Sequence, residues 1–161
     1  MRPFSARFRR HRSGSLDLRI TGEERHVVAG LLDQLRDLLM GTSPAGAVNP
    51  AMRRLYPTAY ADDAERDEKY QEEKRDELLI SRLDTLATVE RTLQSELLTE
   101  DEAAAWIRTL NDLRLVLGTT LDVIEEEDIT DVDPNHEDAY AKEIYHYLGH
   151  LLGEFIDAVN P

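Results

Sequence analysis

The 161 residues carry 33 acids against 19 lysines and arginines, a formal net charge of -14, with 41% hydrophobic residues and no cysteine. Size and hydrophobic content suit one domain with its own core, the lack of thiols excludes disulfides, thiolate nucleophiles, thiolate zinc sites and iron-sulfur clusters, and the charge argues against nucleic-acid binding over the whole surface. Apolar runs such as Val27 to Leu32 are far shorter than the ~20 residues that span a bilayer, and no signal-peptide pattern opens the chain, so a cytoplasmic location is expected.

The charge is segregated. Arg2, Arg7, Arg9, Arg10 and Arg12 all precede the first acid, Asp17; without these five, 14 bases face 33 acids and the remainder carries -19. Ser5 to His11 and Leu16 to Ile20 alternate roughly, and Ser13 to Ser15 centres on a glycine that tolerates positive φ, so residues 1–20 read as a basic β-hairpin. An Arg-rich presequence is the competing reading, opposed by Pro3 and Gly14, which interrupt the single amphipathic helix it needs.

The remainder, 21–161, reads as a helical bundle within the same single domain. Thr21 and Glu24 have capping-box spacing and open a helix to about Met40, with Val28, Leu31, Leu32, Leu35 and Leu39 on one stripe and Gly41 at its end. Residues 41–50 read as a loop, and Asn49 with Pro50 starts a short turn through Met52 and Leu55. Asp62 to Arg75 is nearly all charged, so a helix there is solvated and weakly anchored, an arm in character. From Asp76 a helical stripe of Leu79, Leu83, Leu86, Leu93 and Leu97 appears, interrupted by Glu90.

A second capping box, Thr99 to Glu102, opens the next helix at once, and so short a connection implies an antiparallel neighbour. This helix places Ala103, Trp106, Leu110, Leu113, Leu117, Leu121 and Ile124 on one face and reads as the central core element. An acidic loop, 125–138, leads to a last helix from about Glu137 to Ala158 that buries Ile144, Leu148, Leu151, Leu152 and Phe155. The expected fold is mainly α: a bundle of about four helices with a small N-terminal β-hairpin.

Four groups of residues invite a chemical reading. Glu143, His146, His150 and Glu154 have metal-ligand spacing on one helix side, but that side points away from the apolar stripe and meets no second motif, so a solvated face is the simpler account. Asp131, Asp133, Asn135 and Glu137 alternate like the start of a calcium loop, yet His136 stands where glycine is needed, Pro134 stiffens the segment and Lys142 replaces the bidentate glutamate. Glu90 within an apolar stripe requires a partner, and Trp106, Arg108 and Arg114 are the candidates on the adjacent helix. Arg7, Arg9, Arg10 and Arg12 suit an acidic protein surface, and only Phe4 and Phe8 between them hint at base stacking. No phosphate loop, nucleophile elbow or nucleophile-base pair is present, so no cofactor and no catalytic activity are expected.

The segment WIRTLNDLRLVLGT, Trp106 to Thr119, resembles the signature of the actinobacterial AosR family of oxidative-stress transcriptional regulators, formerly a domain of unknown function. The basic N-terminal segment, the stretch NPAMRRLYPTAY from Asn49 to Tyr60 and the C-terminal helix resemble family elements in the same order. The resemblance implies a non-enzymatic regulator that binds a sigma factor or RNA polymerase. Family genes often neighbour the Clp adaptor ClpS, so a part in Clp-dependent proteolysis is the alternative, with a metal-dependent enzyme behind it. The chain departs from the family in lacking the cysteines on which redox sensing rests, so that function is not carried over. Within the motif, Trp106, Leu110, Leu113 and Leu117 have core spacing, whereas Asn111, Asp112 and Arg114 flank the stripe and either satisfy internal groups or touch a partner. A homodimer covering Leu115 and Val116 is a further alternative to packing within the chain.

Overall fold

The computed structural model describes residues 7–41, 62–120 and 139–160. Phe4, the stretch from Asn49 to Tyr60, Leu121 and Ile124, and the acidic and calcium-like segment 125–138 lie outside them. The described elements are β1 (Leu16–Asp17), α1 (Gly22–Met40), α2 (Ala64–Thr92), β2 (Leu97–Leu98), α3 (Glu100–Thr120) and α4 (Ala139–Val159).

The helix starts follow from their caps. The Thr21 hydroxyl accepts from the Glu24 N–H while the Glu24 carboxylate accepts from the Thr21 N–H, and Thr99 with Glu102 repeats the exchange at α3, so otherwise unpaired amides of the first turn are satisfied locally. Gly41 ends α1 in an extended conformation, its N–H donating to the Asp37 carbonyl.

The second helix departs from expectation in extent. It is continuous from Ala64, capped by the Asp63 carboxylate on the Arg66 N–H, so the charged stretch, expected as a solvated and weakly anchored helix of arm-like character, is the first half of the same helix that carries the leucine stripe. Charge sets the solvation of that half without breaking the helix, because Glu, Lys and Arg are good helix formers. Leu97 is also reassigned. It lies in β2 and is about half exposed, because the helix ends at Thr92 and the stripe does not continue through the turn.

Side-chain pairs fix the directions of the helices. Thr92 meets Trp106, and Arg82 meets Asp112, so α2 and α3 run antiparallel. Trp106 stacks on Phe155, and Arg114 lies over Tyr145, which sets α4 antiparallel to α3. The core is one cluster drawn from every element, with Trp106, Leu110, Leu148 and Phe155 essentially inaccessible. Leu113 is buried and Leu117 packs against the cluster. Val116 is buried and Leu115 half-buried within the chain itself.

The N-terminal hairpin is present and short. Arg10 bridges Leu16 around a turn in which the Gly14 N–H donates to the His11 carbonyl. Gly14 has φ +91, and a Cβ there would meet the Glu100 carboxylate at 2.8 Å, so both backbone and space require glycine. On its other edge, β1 pairs antiparallel with β2, Leu16 opposite Leu98 and Asp17 opposite Leu97.

Candidate functional site

The basic hairpin is fastened to the bundle at its base. Phe8 is 3% exposed and stacks on Phe155 with centroids 4.3 Å apart, so it is a core residue and unavailable for the base stacking its spacing suggested. Arg7 donates to Glu24 at 2.7 Å and to Glu154 at 3.0 Å. Its guanidinium therefore holds the segment to α1 and α4 and is not part of an open surface. Tyr147 donates to the same Glu24 oxygen. Burial works against the Glu24 carboxylate, but the Thr21 N–H and the Arg7 guanidinium outweigh it, and its pKa ends below the usual carboxylate range. Burial and the adjacent Glu24 charge push the Tyr147 phenol strongly upward, so it stays protonated as a donor.

Beyond this base, Arg9, Arg10 and Arg12 are exposed. The acid within the hairpin is already engaged: Asp17 accepts from His11 at 2.8 Å and from Arg19 at 3.3 Å, and the His11 hydrogen bond holds its carboxyl below the usual range. Among the described residues, no carboxylate forms an ion pair with Arg9, Arg10 or Arg12. The hairpin thus presents three arginines on a fixed support to whatever approaches.

The partner of Glu90 is corrected. It pairs with Arg36 of α1, whose Nε donates to it at 3.1 Å with a second guanidinium nitrogen on the other oxygen, so the bidentate link ties α1 to α2. None of Trp106, Arg108 and Arg114 provides it. The Trp106 indole N–H instead donates to the Thr92 hydroxyl at 2.8 Å inside the core.

The three polar residues of the α3 motif part company. Asn111 is exposed. Asp112 is buried and accepts from Arg82 at 2.6 Å; burial raises its pKa against the pull of that guanidinium. Arg114 is half-buried, its guanidinium 5.1 Å from the centre of the Tyr145 ring.

The helix-side group on α4 is also divided. Glu154 is bound to Arg7, and Glu143, His146 and His150 are exposed. Among the described residues no group of three histidines or acids converges as metal ligands would. His146 and His150 instead meet edge to face, centroids 4.8 Å apart, and with Arg114, Tyr145 and Gly149 they line an open cleft of about 260 Å³ between α3 and α4. Two groups that were separate in the sequence, the motif arginine and the histidine pair, share one site. Only the antiparallel register of α3 and α4 brings them together, so no local spacing foretold it.

Among the described residues no helix is long and apolar enough to cross a membrane. The profile of a family described as a domain of unknown function, DUF2017, matches residues 1–159. No curated protein and no solved structure matches the chain.

Proposed function

We propose, since the chain belongs to the DUF2017 family, that it is a non-enzymatic regulatory protein whose basic hairpin docks on an acidic surface of the transcription machinery, a sigma factor or RNA polymerase. The observation that carries the reading is the placement of Arg9, Arg10 and Arg12: exposed, without ion-pair partners among the described residues, and mounted on a segment locked by Phe8 and Arg7. Fixing the support before binding lowers the ordering cost of association, and like-signed charge on one edge steers an oppositely charged partner. The acidic remainder repels nucleic acid, which favours a protein as the partner. The resemblance of Trp106 to Thr119 to the AosR family supports transcription machinery as its class and an actinobacterial cytoplasm as its setting.

The test is capture from an actinobacterial lysate with the intact chain and with an Arg9→Gln, Arg10→Gln, Arg12→Gln variant as baits. Recovery of a sigma factor or a polymerase subunit by the intact chain, lost with the variant, is the expected result. Clp components alone would move the function to regulated proteolysis. Equal recovery by both baits would remove the hairpin from the interface.

A further inference from the structure

Most of the half-buried arginines among the described residues are answered. Of the half-buried ones described, Arg7, Arg36 and Arg82 each reach a carboxylate, and Arg25 donates to the carbonyls of Leu18, Leu93 and Ser95. Among the described residues Arg114 forms no ion pair, and its Nε, like that of Arg82, is buried with no hydrogen-bond partner; Arg82 reaches Asp112 through another guanidinium nitrogen, whereas Arg114 reaches no described carboxylate. A buried donor left without a partner is costly and calls for an explanation, of which a bound ligand is one.

The surroundings of Arg114 indicate what completes it. Tyr145 supplies an aromatic floor to the cleft, and His146 and His150 stand one turn apart at its mouth, with imidazole nitrogens able to donate. Gly149 lies directly beside the guanidinium, where a Cβ would make an ordinary contact with Nε at 3.5 Å. Among the described residues no carboxylate lines the cleft. The fixed positive charge repels the metal ion that a histidine pair at this spacing would otherwise invite. A planar guanidinium flanked by imidazoles matches the donor pattern that phosphate and carboxylate oxygens require. At about 260 Å³ the cleft falls just under the ~300 Å³ at which drug-sized pockets begin, which fits a small anionic head group.

We infer that the α3–α4 cleft is an oxyanion-binding site in which Arg114, His146 and His150 hold the phosphate or carboxylate group of a small molecule. It is separate from the hairpin edge. Gly14 packs by Glu100 at the start of α3, and Arg114 is about four turns further along that helix.

Nuclear magnetic resonance of the full chain, titrated with sodium phosphate, sodium acetate or sodium chloride at matched ionic strength, tests this. Saturable shifts at the Arg114 Nε–H and the amides of Tyr145 to His150 are expected with phosphate, acetate or both, and not with chloride. Phosphate alone points to a phosphorylated ligand, and acetate alone to a carboxylate. Arg114→Gln should weaken binding about tenfold or more. His150→Ala, at an exposed position, should weaken it while the spectrum stays dispersed. The Arg9, Arg10 and Arg12 variant should bind like the unaltered chain, which separates this site from the hairpin's function. Absence of saturable shifts with both oxyanions, or shifts unchanged in both cleft variants, would overturn the assignment.

Discussion

Glu24 does the work of several residues. One carboxylate caps α1, receives Arg7 from the basic hairpin and receives Tyr147 from α4, so three segments distant in sequence converge on two oxygens. Glu24→Gln keeps the shape but removes the charge that two of these donors answer, and a loss of about 1–2 kcal/mol is expected in denaturant unfolding at neutral pH. The pH dependence has a definite sign. Because the folded-state pKa is lowered, the contribution is complete above the ordinary carboxylate value and disappears as pH falls through the folded value. The gap between the two proteins should therefore close on acidification. The capping half of this role is legible in the spacing of Thr21 and Glu24. The Arg7 and Tyr147 halves are not, because they depend on residues brought together only by the tertiary fold.

At the scale of elements, α2 shows where pattern and packing separate. No described side chain from Ala64 to Thr85 is fully buried; the first is Leu86, followed by Val89, Thr92 and the adjacent Leu93. Helix formation in the first half thus rests on propensity and the Asp63 cap, and in the second on burial against α1 and α3. In hydrogen exchange, amides from Asp67 to Asp76 are expected to lose protection well before those from Leu86 to Thr92; equal protection along the helix would show that the first half is held by something else. Sequence periodicity located the buried half and the charged half correctly, but gave no sign that the two form one continuous helix. It failed equally at Glu90, whose partner is on α1 instead of the neighbouring α3, and at β2, whose two residues are too short a strand to leave a period.

Across the whole molecule the chain is closed by its two ends. Phe8, Phe155 and Trp106 form a continuous aromatic stack, Phe8 to Phe155 at 4.3 Å and Phe155 to Trp106 at 5.6 Å, beside the pairing of β1 with β2. Phe8→Ala is expected to cost about 3 kcal/mol in unfolding. Since the chain has one tryptophan, Trp106 fluorescence reads the disturbance of the stack directly, and an unchanged emission and midpoint would contradict this role for Phe8. The helical class and the charge division were open to a reading of composition and spacing. The α3–α4 cleft was not, because it is a property of register between helices.

The link from Arg7 to Glu154 spans 147 positions of the chain. At ribosomal rates of roughly 5–20 residues per second, the hairpin waits on the order of ten seconds for α4 to be made. Throughout that interval Phe8 has no aromatic partner from α4, and the arginines on either side of it act as gatekeepers against aggregation of the nascent chain. Charge bordering an apolar aromatic thus bears on the chain while it is still incomplete as well as on its finished surface.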